Sequence, residues 1–299
     1  MKGILLAAGT GTRLRPISKL MTKQLLPVYN KPMIYYPLST LMLANIRDVF
    51  IICTERDKPL YQRLLGDGRQ IGLNIEYGVQ DKPNGIAEAF LIAENFVGND
   101  SVCLMLGDNI IYGRGLPEIL KRGVDTINSS DSEISVIYGH HVDDPKRYGV
   151  VEYDDDYNVI SLEEKPENPK SDCASIGLYM YDNSVIKKAK KLEPSDRGEL
   201  EITDINKLYL QNNNLALEVL GRGYAWFDAG THDSLLESAN FIQTIEKRQG
   251  LKIACVEEIA YHMNYITCAN LLQLAGGIGD NQYAQYLFKI ASKSKVKEK

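Results

Sequence analysis

Apolar residues along this chain come first as short runs and later as alternating or helical patterns. The run Ile4-Leu5-Leu6-Ala7-Ala8 is too short for a helix and has no polar face, which predicts a strand buried on both sides. Residues 48–53 and 101–106 repeat that pattern, and 74–79 supplies another strand. Between them, 31–45, 59–65 and 85–96 read as helices. The first has Pro32 near its opening turn, where the missing N–H costs nothing, and the last has Ile86, Phe90 and Ala93 on one side. Strands alternating with helices predict an α/β fold with a mostly parallel sheet and right-handed crossovers. In such sheets ligands sit beyond the carboxyl ends of strands, where Gly9, Gln80 and Asp108 all fall.

After residue 133 strand-like segments dominate: 134–138, 149–153, 159–163 and 175–181, with Asp154-Asp155-Asp156 as a polar hairpin turn. This predicts a mixed-sheet extension that supplies a second substrate's pocket. Residues 183–191 and 201–211 read as helices and 215–220 as a strand. From His232 onward the chain is mostly helix, including 234–248 and 282–291, separated by Gly276-Gly277-Ile278-Gly279. The alternating charges of 293–299 predict a frayed end. No internal repeat or low-complexity linker divides the chain. The expected organisation is a core domain over 1–240, with halves of about 1–110 and 111–240, and a helical region over 241–299.

Composition narrows the function classes. A 299-residue chain that is 44% hydrophobic can bury a large core. Lys plus Arg total 34 and Asp plus Glu 39, a formal net charge of −5, which argues against nucleic acid as the main partner. The N-terminal apolar run is too short for a signal peptide or membrane span. Cys53, Cys103, Cys173, Cys255 and Cys268 show no C-x-x-C spacing, as expected of reduced thiols in a cytoplasmic protein. His140 and His141 are adjacent, without the helical spacing of transition-metal ligands.

Candidate chemistry concentrates in the stretch after the first strand. Gly9 and Gly11, with Thr10 and Thr12, can let a phosphate approach main-chain N–H groups. Arg13 adds a planar positive fork and Lys23 a mobile point charge. A Rossmann fingerprint would need a third glycine where Leu14 stands, and Pro16 opposes an early helix. A Walker loop is absent. On these residues alone a triphosphate cradle and an ordinary tight turn fit equally. Asp108, directly after a buried strand and a glycine, is placed at the sheet's functional edge, although such an aspartate is often only a cap or turn residue.

The longer motifs carry a resemblance. AAGTGTRLRP, then KQLLPV from Lys23 and KPMI from Lys31, resembles the signature of sugar-1-phosphate nucleotidyltransferases, and the fuller run KQLLPVYNKPMIYYPLSTLMLA is similar to the thymidylyl branch. The similarity extends from Lys2 to about Tyr286. It implies a Rossmann-like nucleotidyltransferase fold with a nucleotide half, a sugar-phosphate half and C-terminal helices. The implied reaction is Mg²⁺-dependent thymidylyl transfer from dTTP to glucose 1-phosphate, the first step towards dTDP-rhamnose and related deoxysugars. Uridylyl or other nucleotidyl transfer, or a non-catalytic nucleotide-sugar-binding regulator, are the alternatives on the same fold. The resemblance also implies a homo-oligomer, typically a tetramer, and a second nucleotide-sugar site, with Tyr112, Gly113 and Gly221-Arg222-Gly223 as candidates.

Residue roles follow from the same resemblance. Asp108, in Leu106-Gly107-Asp108-Asn109, and Asp228, in YAWFDAGT, would hold Mg²⁺. Lys165, in SLEEKP, would hold the sugar phosphate and Glu164 the sugar hydroxyls, with Arg197 as the other phosphate clamp. Asn109, Gly149 and Tyr179 would line the sugar site. Gln80 and the backbone near Leu6, Ala8 and Gly85 would read the base, a glutamine amide matching a pyrimidine edge, with Gln24 on the deoxyribose side. Gly9 to Arg13 and Lys23 would serve the phosphates. Four positions depart from the family pattern: Ala8 replaces a glycine, Asn84 an aspartate, and Ile176 and Ala229 threonines. The last two are expected to remove hydroxyls beside the sugar and metal sites.

Overall fold

A computed structural model of the protein describes residues 1–9 and 11–294. Thr10 of the glycine turn and 295–299 of the charged tail lie outside the described residues. The first half runs β1 (Lys2–Leu6), β2 (Pro27–Val28), β3 (Lys31–Pro32), α1 (Tyr35–Leu43), β4 (Asp48–Cys53) and α2 (Lys58–Leu65). It continues with β5 (Asn74–Val79), α3 (Glu88–Ile92), α4 (Glu94–Val97), β6 (Val102–Leu106) and β7 (Ile110–Gly113). Next come α5 (Leu116–Ser129), β8 (Ser135–His141), β9 (Gly149–Tyr153), β10 (Val159–Glu164), β11 (Cys173–Tyr181), α6 (Ser184–Ala189) and α7 (Ile202–Gln211). The chain closes with β12 (Leu215–Leu220), β13 (Tyr224–Phe227), α8 (His232–Gln249), α9 (Val256–His262), α10 (Cys268–Ile278) and α11 (Gln282–Ser294).

The main sheet orders β10-β9-β11-β6-β1-β4-β5, and β8 joins β11 and carries β12. β5, β4, β1 and β6 are mutually parallel, and β11 reverses direction against β6. The apolar runs are buried on both faces, as expected of strands covered by helices. Leu5, Ile51, Cys103 and Met105 enter one core cluster, while their neighbours Ile4, Ile52, Val102 and Leu104 enter the other. That period-two split is why the runs carry no polar face. No helix among the described residues is long and apolar enough to cross a membrane.

Several elements differ from the sequence expectation. The helix expected over 31–45 starts only at Tyr35, because Lys31–Pro32 pairs with Pro27–Val28 in a short hairpin. Lys31 is buried there, 3.1 Å from Glu246 of α8. Burial lowers its pKa, against the opposing pull of Glu246. The helix expected over 85–96 starts at Glu88 and is divided at Ala93. Residues before it are tied elsewhere: Leu200 N–H donates to the Asn84 carbonyl at 2.6 Å, and Ala87 N–H to the Leu200 carbonyl at 3.1 Å. Gly276 and Gly277 belong to the last turn of α10, and Gly279, with φ of +92°, ends it. The β7–β13 ribbon and amphipathic α5, which buries Leu116, Ile119, Leu120 and Ile127, were not anticipated.

Candidate active site

Three parallel strands end where the glycine turn begins. Gly11 has φ of +59°, a region that disfavours side chains, and a Cβ there would meet Ser18 Cβ at 3.3 Å. Ser18 Oγ donates to the Gly11 carbonyl at 2.7 Å, and Thr22 Oγ1, which donates to Gln24 Oε1 at 2.5 Å, also lies 3.2 Å from the Gly9 carbonyl. The turn is therefore held by side chains from the residues that follow it. Thr12, Arg13 and Leu14 then make one 3-10 turn. At the end of β6, a Cβ on Gly107 would lie 2.9 Å from the Leu6 carbonyl, so the chain passes close against β1. Asp108 follows, ion-paired with Lys23 through Oδ2 and accepting from Asn109 Nδ2 at 2.9 Å through Oδ1.

Strand pairing brings the second aspartate to the first. Phe227 pairs with Ile110 in the β7–β13 ribbon, so Asp228 follows alongside Asn109, one residue from Asp108. Asn109 Oδ1 locks the junction by accepting from Trp226 Nε1 at 2.6 Å and from Gly177 N–H at 2.9 Å. Asp228 Oδ2 accepts from Arg147 Nη2 at 3.2 Å and Tyr148 OH at 3.3 Å. Burial and then the Asp228 charge push the Tyr148 phenol up to about 12, so it stays a donor at neutral pH. Across β9, β10 and β11, Gly149 is the pairing partner of both Glu164 and Ser175, which sets those side chains abreast. Glu164 Oε2 accepts from Thr203 Oγ1 at 2.5 Å, and Oε1 stands 3.4 Å from Lys165 Nζ and 3.5 Å from Arg197 Nη2.

Arg13, Asp108, Asn109, Gly149, Glu164, Lys165, Tyr179 and Asp228 thus line one cavity of about 500 Å³. Lys165 and Ala229 have φ of +44° and +33°, conformations unfavourable for side chains that cluster at functional sites. Burial is the first reason that Tyr179 holds its proton, with Glu164 and Asp108 adding to it. Leu6, Ala8, Gly9, Gly11, Thr12, Lys23, Gln24, Gln80 and Gly85 sit around the adjoining strand ends rather than in this cavity wall. Arg197 is set back: its guanidinium bonds Glu201 Oε1 and Oε2 at 2.8 and 2.9 Å.

At the outer strand end, Gln80 Nε2 donates to Glu88 Oε2 at 2.7 Å and to the Gly85 carbonyl at 3.2 Å. Asn84 Nδ2 donates to Glu88 Oε1 at 2.7 Å, so an aspartate at 84 would set carboxylate against carboxylate. Gly85, with φ of +107°, passes so close to Leu200 that a Cβ would lie 2.3 Å from its carbonyl oxygen.

Two of the sequence departures act differently from expectation. Ile176 is fully buried in the cluster that contains Leu5 and Met105, while its neighbours Ser175 and Gly177 line the cavity. The two-residue period of β11 turns position 176 away from the site. Ala229 is likewise buried, among Val28, Met33, Ile110 and Ile242. Arg147, Ser175, Thr203 and Trp226 were missed as lining residues. Their only signal was adjacency: Arg147 stands two before Gly149, Ser175 opens the strand that contains Tyr179, Thr203 lies in the segment 201–211 just after Arg197, and Trp226 stands two before Asp228.

Comparison with known proteins agrees with this geometry. The family model described as nucleotidyl transferase matches residues 2–245. The chain is 50% identical over 293 residues to a glucose-1-phosphate thymidylyltransferase from Neisseria meningitidis, covering 98% of this chain and 100% of that one. It is 52% identical to the enzyme of the same description from Xanthomonas campestris, over 99% and 98% of the two chains. A Bacillus anthracis crystal structure assigned to the same activity, with sucrose bound, superposes with a TM-score of 0.73 at 42% identity, covering 81% of this chain and 94% of that one. With two aspartates, an arginine and a lysine gathered at the carboxyl edge of its sheet, the chain belongs to the nucleotidyl transferase family, alongside the glucose-1-phosphate thymidylyltransferases.

Proposed function

We propose that the chain transfers a thymidylyl group from dTTP to glucose 1-phosphate, releasing pyrophosphate. The observation that carries this reading is the single cavity in which Arg13 and Asp108 from the parallel strand ends meet Glu164, Lys165 and Asp228 from the later half. An anionic oxygen of the sugar phosphate forms a bond to the α-phosphorus, and the bond from that phosphorus to the α–β bridging oxygen breaks. The attacking oxygen is already ionised at neutral pH, so no general base is needed. Catalysis is then positioning and charge neutralisation.

Lys165 meets the sugar phosphate, and Glu164, held by Thr203, accepts from sugar hydroxyls. Arg13 and Lys23 offset negative charge on the triphosphate. Arg197 acts through Glu164 and Glu201. Among the described residues no group of three or more His, Cys, Asp or Glu is arranged to hold a metal ion. Asp108 and Asp228 nevertheless fit Mg²⁺, which is commonly held by one or two carboxylates and completes its shell with phosphate oxygens and water. When bound, the ion supplies charge neutralisation on the nucleotide phosphates.

The test is pyrophosphate release across a matrix of nucleoside triphosphates and sugar 1-phosphates, with and without a chelator. Release that is fastest with dTTP and glucose 1-phosphate, and abolished by the chelator, is expected. No release from any pair would overturn the assignment.

A further inference from the structure

Gln80 is almost entirely buried at the end of β5, and its amide nitrogen is committed to two acceptors, Glu88 Oε2 and the Gly85 carbonyl. A carboxylate and a carbonyl can only accept, so the amide has one satisfied orientation. The flipped amide would set its oxygen against two others. Asn84 holds Glu88 in turn through the second carboxylate oxygen. Both side-chain bonds that Gln80 makes to described residues use its nitrogen, which leaves Oε1 to serve a ligand.

We propose that Glu88 is a positioning residue for base selection. By holding the nitrogen of Gln80 it presents that residue's carbonyl oxygen to the nucleotide, so the site accepts from the imino N–H of a base. The inference rests on the reading of Gln80 as the base contact. Thymine and uracil carry N3–H, whereas neutral cytosine has a bare acceptor at N3 that would face Oε1 lone pair to lone pair.

The experiment compares kcat/KM for dTTP and dCTP in the wild type, Glu88→Ala, Glu88→Gln and Gln80→Ala, with circular dichroism for folding. Glu88→Ala frees the amide, and the dTTP-to-dCTP ratio should fall roughly tenfold, as expected for one charge-assisted hydrogen bond. The fall should appear mainly in KM for dTTP, with KM for glucose 1-phosphate unmoved. Glu88→Gln can still offer a carbonyl to Gln80 and should restore most of the ratio. A merely structural role for Glu88 would not shift discrimination between two bases. Should Glu88→Ala unfold, the exposed change Asn84→Asp, which sets a like charge against Glu88, should lower the ratio by a smaller factor. A ratio lost in Gln80→Ala but unchanged in the position 88 and 84 variants overturns the positioning role and leaves base reading intact. A ratio unchanged in Gln80→Ala as well removes Gln80 from the base.

Discussion

The two sides of the site are built from different materials. On the nucleotide side, apart from the exposed Arg13, the polar groups are buried or half-buried and bonded to one another: Lys23 to Asp108, Thr22 to Gln24 and the turn carbonyls, Gln80 to Glu88. On the sugar-phosphate side the cations are long side chains with much of their surface in water. The Lys165, Arg147 and Arg197 side chains are 46%, 42% and 40% exposed, against 11% for Lys23. Parallel strand ends and glycine turns bring backbone to the ligand, so that side is organised by the fold itself. The antiparallel extension supplies Lys165 and Arg147, which lean on Glu164 and Asp228 and would exchange those partners for a phosphate, while Arg197 stays with Glu201. On the proposed reading, that contrast would give rigid reading of the triphosphate and adaptable capture of the sugar phosphate.

The largest effect is expected where the two sides meet. Asp108→Asn and Asp228→Asn should each lower kcat/KM by orders of magnitude while the protein still folds, because metal placement contributes several kcal/mol of electrostatic stabilisation. If the pair acts as one unit, the double variant should be little worse than either single one. Additive losses, measured at saturating Mg²⁺ with circular dichroism as control, would separate the two roles. Near-normal activity in Asp228→Asn would confine the metal to the nucleotide side.

Lys165→Ala comes next and should act on one substrate only. KM for glucose 1-phosphate should rise and kcat should fall, with dTTP affinity in the absence of sugar nearly unchanged. Weakened dTTP binding with an unaltered sugar-phosphate KM would move Lys165 to the other side of the site. UTP should be accepted less well than dTTP. The two share the N3–H edge, and a single methyl in an apolar pocket is worth roughly 1–3 kcal/mol of discrimination. Efficient turnover of ATP or GTP would contradict the base assignment. The smallest effect is expected for Arg197→Ala. Its guanidinium is committed to Glu201 and lies outside the cavity wall, so KM for glucose 1-phosphate should rise less than in Lys165→Ala. A loss equal to that of Lys165→Ala would make it a direct phosphate ligand.

Elements whose burial is purely local in pattern were legible. The strands Asp48–Cys53, Asn74–Val79, Gly149–Tyr153 and Leu215–Leu220 were read with the boundaries they have, since a run of apolar or alternating residues between turns has one economical conformation. Asp108 was placed at the sheet edge for the same reason. Elements set by distant partners were not. Lys31–Pro32 is a strand because Pro27–Val28 and Glu246 are there to receive it, and α3 starts late because Leu200 pins the segment before it. Arg147 and Trp226 carried no signal of their own beyond their neighbours.

By itself the chain's sequence determined the strand runs, the glycine turn, the motifs of the nucleotide-transfer family and the residue types of the site, because each is a property of contiguous residues. Only the tertiary structure decided which of them face one another. The β7–β13 register sets Asp228 beside Asn109, the pleat of β11 turns Ile176 into the core while Ser175 and Gly177 face the cavity, and Glu88 takes the amide nitrogen of Gln80. These relations join residues far apart in the chain, or depend on which face of a strand meets the core, and pairing register and close packing settle both.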